Sequence, residues 1–151
     1  LEYFGKKISS QKLLKIGLKF NFLYKNKKYL AYVPKIGWNH WGLVHLAEKL
    51  NCKGIVYDWN IDNDHCKKLN KKSAFLKLKN YLKKYPILAS IHLNFNPKNG
   101  GHLVVITGIS KTKIFYNDPD SKTEKQIPHS IQIKKFLTGW KKRVIVINSK
   151  K

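Results

Sequence analysis

Apolar residues recur along the chain at two different spacings, and these spacings predict its secondary structure. Spacings of three and four residues indicate helices, whereas short apolar runs bounded by Pro, Gly, Asn or Asp are typical of strands. The predicted helices cover residues 10–16, 43–50, 73–84 and 128–137. The predicted strands cover residues 54–57, 87–93, 103–109, 114–116 and 144–147. Helices that precede a mostly antiparallel sheet define an α+β fold, and we expect one domain over residues 1–151.

Two serines are predicted to cap helices, because a serine hydroxyl can accept a hydrogen bond from the first helical turn. Ser10 would begin the first helix, and Ser73 would begin the third. A loop over residues 37–42 would lead into the helix between them. The third helix is expected to bury one stripe of four side chains: Leu76, Leu78, Tyr81 and Leu82.

A histidine and an aspartate flank two consecutive predicted strands. His102 lies directly before the run 103–109, which is so continuously apolar that we expect burial on both of its faces. Asp118 follows the returning strand 114–116. If the two strands pair as a hairpin, these residues lie at the same edge of the sheet.

The turn between the strands decides whether the two side chains meet. With a three-residue turn after Ile109, that residue pairs with Lys113, and Val104 lies opposite Asp118. His102 then lies two residues from Val104, on the same face and diagonal to Asp118. A two-residue turn would put them on opposite faces, because strand side chains alternate.

A carboxylate beside an imidazole fixes the tautomer of the ring and stabilises its charged form. Pro119 favours an extended backbone at Asp118 and so holds the carboxylate at the strand end. Gly100 and Gly101 leave room in front of His102 for a substrate chain. Spacing alone leaves open a purely structural His–Asp pair.

Two segments resemble the second half of the bacteriocin-processing branch of papain-like cysteine peptidases, the double-glycine leader peptidases. They are Gly101–Ile109, with His102 at its second position, and Ile114–Pro119, which ends in Asn-Asp-Pro. The resemblance extends over most of the chain, to residues 1–9, 37–43, 85–91 and 127–140. It implies a cysteine peptidase that hydrolyses peptide bonds with a Cys–His–Asp mechanism. His102 and Asp118 would be catalytic.

The resemblance also implies a nucleophile that this sequence does not contain. In the family a cysteine opens the helix of which Leu1–Phe4 would be the tail, and a nearby glutamine helps to form the oxyanion site. Because the chain begins at Leu1 and has no methionine, we expect its natural N-terminus, with that cysteine, to lie upstream. Cys66, in a polar loop, is a poor substitute, since a nucleophile should open a buried helix. We therefore predict that the chain alone is inactive.

The resemblance suggests a peptide or protein as the substrate, with Gly101, Trp38 and Asn117 as candidate substrate-binding residues. We expect no cofactor and no metal. The pair His65–Cys66 could suggest a metal ligand set, but a polar turn explains it better. Whether Cys66 and Cys52 are free or joined in a disulfide is left open by the sequence.

The charge of the chain suggests a different class of function. The net charge is +23, almost all from lysine, since Arg143 is the single arginine. Such a field favours nucleic acid, anionic lipid or an envelope polymer. The lysines are scattered and not clustered with arginine and stacking aromatics, so nucleic acid is the less favoured partner. A catalytically inactive peptide-binding or regulatory domain of the same fold is the other alternative.

No apolar run is long enough to cross a membrane, so we expect a soluble chain. Both the cytoplasm and the cell envelope are compatible with the sequence. The oligomeric state is left open.

Overall fold

The computed structural model describes residues 8–122 and 128–149. The predicted helix end at Leu1–Phe4 lies outside these residues. The chain divides into two compact units, residues 1–56 with 147–151, and residues 57–146. The expectation of one domain over residues 1–151 stays a prediction.

The described residues form four α-helices, as predicted, one short 3-10 helix at Leu93–Phe95 and ten strands. The helices are α1 Ser10–Leu18, α2 His40–Lys49, α3 Lys71–Leu82 and α4 Ile133–Gly139. The first five strands are β1 Asn21–Tyr24, β2 Lys27–Leu30, β3 Tyr32–Val33, β4 Gly37–Trp38 and β5 Cys52–Asp58. The others are β6 Ile87–His92, β7 Gly101–Ile109, β8 Lys113–Asn117, β9 His129–Gln132 and β10 Trp140–Ser149. None of the described helices has the length and apolarity that a bilayer crossing requires.

The first unit holds α1, α2 and two small antiparallel ribbons, β1–β2 and β3–β4. Its described core consists of Phe20, Phe22, Ala31 and Leu46. Two helix starts differ from prediction by a few residues. Ser9, not Ser10, caps α1, because the Ser9 hydroxyl accepts the Lys12 N–H at 3.2 Å.

Helix α2 also begins earlier than the sequence pattern indicated. The side chain of Asn39 accepts hydrogen bonds from the N–H groups of Trp41 and Gly42. This cap starts the helix at His40, so part of the predicted loop over residues 37–42 is helical.

The second unit contains an antiparallel sheet with the strand order β10–β6–β7–β8–β9. Together with the helices this confirms the α+β fold class. The inward side chains of β10, β6 and β7 alternate along each strand and pack with α3 and α4. The fully buried members include Ile87, Ala89, Val104, Ile106, Val144, Leu78 and Phe136.

The first residue of helix α3 and the set of side chains that it buries both differ from the prediction. Asn70, not Ser73, is its cap, since its side chain accepts the Ser73 N–H at 2.8 Å. Ala74 and Leu78 are fully buried, whereas Leu76 is 53% exposed. The predicted stripe was therefore wrong at Leu76, because the face centred on Leu78 turns toward the sheet.

Two strand predictions are also corrected. The run of β7 is not buried on both faces: Val104 and Ile106 are buried, but Thr107 is exposed. Residues 129–132, predicted to belong to a helix, pair with β8 as the edge strand β9. The helix α4 begins only at Ile133.

Candidate active site

Strands β7 and β8 bring His102 and Asp118 to one edge of the sheet. His102 is the second residue of β7, and Asp118 follows the last residue of β8. The strand register pairs Val105 with Asn117. Continuing this ladder by one residue places Val104 opposite Asp118, which is the arrangement that the sequence predicted.

The register near His102 agrees with the prediction, but the turn between β7 and β8 does not. Ile109 pairs with Ile114 rather than with Lys113, so the turn has four residues and not three. Ser110 closes it, donating its N–H to the Lys113 carbonyl at 2.9 Å. A register shift at Thr107 then places one extra residue in β7. The extra turn residue and this bulge offset each other, so the side chains near His102 keep the predicted face.

The two side chains form a short hydrogen bond. Nε2 of His102 donates to Oδ1 of Asp118 at 2.7 Å. The imidazole is 12% exposed and the carboxylate 25% exposed, so both remain reachable from solvent. A proton held on Nε2 leaves the lone pair of a neutral imidazole on Nδ1. The ring is thus arranged to take a proton through Nδ1.

The turn after β8 holds the carboxylate in place. Oδ1 of Asp118 also accepts the Asp120 N–H at 2.9 Å, and its carbonyl accepts the Ser121 N–H at 3.1 Å. A side-chain oxygen that caps its own turn has few other rotamers open to it. Asp118 is therefore fixed before any substrate binds.

Asp120 is a site residue that the sequence reasoning missed. Its Oδ2 lies 3.9 Å from Nδ1 of His102, beyond hydrogen-bonding distance, and its side chain is 76% exposed. His102 therefore has one carboxylate near each ring nitrogen. The Asp-Pro-Asp sequence at 118–120 was the available signal, since a tight turn returns the second carboxylate toward the first.

The Tyr116 hydroxyl lies close enough to Asp118 to be affected by its charge. Burial raises the pKa of the Tyr116 hydroxyl, and the negative charge of Asp118 raises it further. The phenol therefore stays neutral beside the carboxylate at physiological pH.

The candidate substrate-binding residues fall in both units. Gly101 is exposed, and a Cβ placed on it would lie 3.2 Å from Nζ of Lys141. Asn117 is half-buried, and its backbone pairs with Val105. Trp38 belongs to the first unit, where its ring packs edge-on against Tyr32 with centroids 5.2 Å apart. Their role in substrate binding stays a prediction.

Both cysteines are free thiols. Cys52 is buried, and the Cys66 thiol donates to the Asp58 carbonyl at 3.3 Å. Cys66 is therefore engaged in the loop around Asn63. Among residues 8–122 and 128–149, the group that could offer three ligands to a metal ion is His102, Asp118 and Asp120. The expectation that the chain needs no metal stays a prediction.

An α+β fold that brings an imidazole and a carboxylate together at the edge of an antiparallel sheet is compatible with the papain-like peptidase class. The model of the Peptidase_C39 like family matches residues 1–146. The chain belongs to that family. This confirms the family resemblance read from the sequence.

Solved structures show the same fold. The peptidase domain of Streptococcus ComA, a bifunctional ABC transporter involved in quorum sensing, is similar at a TM-score of 0.63 and 17% identity, covering 99% of this chain and 84% of that one. A double glycine motif protease from an AMS/PCAT transporter, solved in complex with the leader peptide, is similar at a TM-score of 0.61 and 15% sequence identity. The match covers 99% of this chain and 78% of that one. A provisionally assigned C39-like peptidase from Bacillus anthracis is similar at a TM-score of 0.65 and 16% sequence identity, and the match covers 99% of this chain and 84% of that one. No curated protein matches significantly.

Proposed function

We propose that this chain supplies the general base and its orienting carboxylate to a cysteine peptidase. The observation that carries the proposal is the 2.7 Å hydrogen bond from Nε2 of His102 to Asp118, which leaves Nδ1 for the nucleophile. Membership of the Peptidase_C39 like family supports this assignment.

The proposed mechanism uses both ring nitrogens of His102. Nδ1 takes the proton of a cysteine thiol, and the thiolate attacks the carbonyl carbon of a peptide bond. The charged imidazole is held by Asp118 and returns the proton to the leaving amine. Water then attacks the thioester, with His102 again as base, and releases the acid and the free thiol. By the family resemblance, the thiol belongs to a segment upstream of Leu1.

A peptide is the substrate class that the proposal includes. One structural neighbour was solved with the leader peptide bound, and a peptide backbone is compatible with the exposed Gly101 beside His102. The exposure of that glycine leaves space for an extended chain to approach the sheet edge.

A reactivity experiment tests the proposal. The chain is expressed together with its natural upstream coding sequence and treated with a peptide that carries a thiol-reactive electrophile. We expect labelling at one upstream cysteine, slowed about 100-fold or more by His102→Ala. His65→Ala, which changes an exposed histidine in the loop before α3, is the matched control and should label normally.

Two outcomes would contradict the proposal. If His102→Ala leaves the rate of labelling unchanged, His102 is not the general base. If the protein with its upstream sequence binds the peptide but is not labelled, that result would favour an inactive peptide-binding domain. The chain without the upstream segment should hydrolyse nothing, since neither Cys52, which is buried, nor Cys66, which is bonded to Asp58, is placed as a nucleophile.

A further inference from the structure

A second pair of polar side chains lies just beyond Asp118. Oγ of Ser121 and Nε2 of His129 share a hydrogen bond of 2.7 Å, and both residues are partly buried. The contact joins the end of the turn after β8 to the start of β9. Neither residue has a part in the proposed chemistry at His102.

The Ser121 end of this contact is connected to the site through the turn. Ser121 donates its N–H to the Asp118 carbonyl, and Asp120 donates its N–H to Oδ1 of Asp118. That same Oδ1 accepts the proton of Nε2 of His102. The rotamer that aims Asp118 at the imidazole is therefore the rotamer that closes the turn.

The His129 end is fixed by the sheet. In the β8–β9 register His129 pairs with Tyr116, and the two rings stack with centroids 5.3 Å apart and planes at 25°. Strand pairing and stacking both restrict the imidazole, which can then hold Ser121 at a set position. Tyr116 lies two residues before Asp118 on the same strand, so the turn is attached to the sheet at both of its ends.

We propose that Ser121 and His129 are positioning residues, which hold the turn that presents Asp118 to His102. The catalytic consequence rests on the proposed function of the His102–Asp118 pair, whereas the geometric part can be tested without activity. Removing the Ser121–His129 contact frees the last residue of the turn, and Asp118 can then rotate away from the imidazole.

Proton NMR on the chain itself tests the geometry. An imidazole N–H that donates to a carboxylate gives a signal far downfield, and its loss in Asp118→Ala assigns it to His102. We expect Ser121→Ala and His129→Phe to weaken or abolish this signal. Ser121→Thr keeps a hydroxyl and should restore it. Ser130→Ala, an exposed serine next to His129, is the control and should leave it intact.

His129→Phe retains an aromatic ring against Tyr116, so it separates the hydrogen bond from the stacking contact. If Ser121→Ala does not fold, the downfield signal of His129→Phe compared with that of Ser130→Ala decides whether the contact positions Asp118. A downfield signal of unchanged position and intensity in a folded Ser121→Ala or His129→Phe chain would overturn the proposal.

Kinetics on the chain extended by its upstream sequence provide the second measurement. We expect Ser121→Ala to lower kcat about tenfold with little change in KM, because the substitution misplaces the reacting groups and leaves substrate binding intact. A merely stabilising hydrogen bond would lower Tm and leave kcat unchanged below Tm, and that result would also overturn the proposal. If the unmodified extended chain has no activity, the proposed peptidase function fails, and the NMR comparison still decides the positioning role.

Discussion

The two ring nitrogens of His102 have different surroundings, and this difference determines what the residue can do. Nε2 is committed to Asp118, whereas Nδ1 faces only the mostly exposed carboxylate of Asp120, 3.9 Å away, among the described ion pairs. A histidine with one nitrogen fixed and the other accessible can take up and release a proton at one defined atom, which is the requirement for a general base.

The hydrogen bond and the charge of Asp118 can be separated by two substitutions. Asp118→Asn keeps an oxygen that can accept the Nε2 proton, so the ring stays oriented. Asp118→Ala removes the acceptor. In the extended chain we expect kcat to fall about 100-fold for alanine and clearly less for asparagine. Equal losses in steady-state kinetics would mean that the negative charge of Asp118, and not orientation, is its contribution.

Asp58 provides a pH-dependent contribution to stability. Burial raises its pKa, but hydrogen bonds from Asn60 and the Arg143 guanidinium outweigh burial and hold the pKa of Asp58 below its usual 3.8. Nε of Arg143 donates to the carboxylate at 2.8 Å. Because the folded pKa is depressed, this stability is complete above the unfolded pKa and is lost as the pH falls through the folded pKa.

We therefore expect Asp58→Asn to cost most stability near neutral pH. The difference in the free energy of unfolding between the variant and the unmodified chain should shrink as the pH falls below about 4, the pKa of an aspartate in the unfolded chain, toward the lower pKa of folded Asp58. Urea denaturation at a series of pH values measures this. A difference that grows with acid would contradict the assigned direction.

Among the secondary structure elements, α3 shows how far periodicity alone can predict burial. Leu76 and Leu78 are both leucines in one amphipathic helix, and both were expected inside. The face that carries Ala74 and Leu78 packs in the core, whereas the Leu76 side chain is 53% exposed. Helical spacing defines a stripe, but which of two neighbouring stripes is buried depends on the packing partner.

The two leucines form a matched pair for measurement. Leu78→Ala should lower the free energy of unfolding by about 2–5 kcal/mol, because it leaves a cavity in the core. Leu76→Ala should change it by no more than about 0.5 kcal/mol, since its side chain is largely hydrated. Chemical denaturation of both variants checks the assignment. Similar costs would show that α3 packs by a different face.

Strand β9 and the bulge in β7 are two of the elements that local patterns did not predict. Residues 129–132 have a sequence compatible with a helix start, yet they pair with β8 over four residue pairs from His129 to Gln132. Pairing with the preceding strand overrides the weak local preference for a helix. The bulge at Thr107 likewise has no local signature, because it is defined by the partner strand.

For the whole molecule, the dominant sequence property is the net charge of +23. At low ionic strength such a chain should bind duplex DNA without sequence preference. We expect the affinity to fall by about a thousandfold between roughly 50 and 200 mM salt, because binding releases counterions. Fluorescence anisotropy with two unrelated duplexes measures this. Tight, sequence-selective binding at physiological salt would instead favour a nucleic-acid function.

The amino-acid sequence alone predicts the α+β class, the four described α-helices, five of the ten described strands, and the placement of His102 and Asp118 at neighbouring strand ends. These properties follow from local spacing, turn residues and strand alternation. The folded chain decides the rest: a four-residue turn and a bulge at Thr107 together preserve the register, Asp120 approaches Nδ1 of His102, and His129 contacts Ser121. Each of these features depends on how one strand or turn packs against another, so no pattern within a single element specifies it.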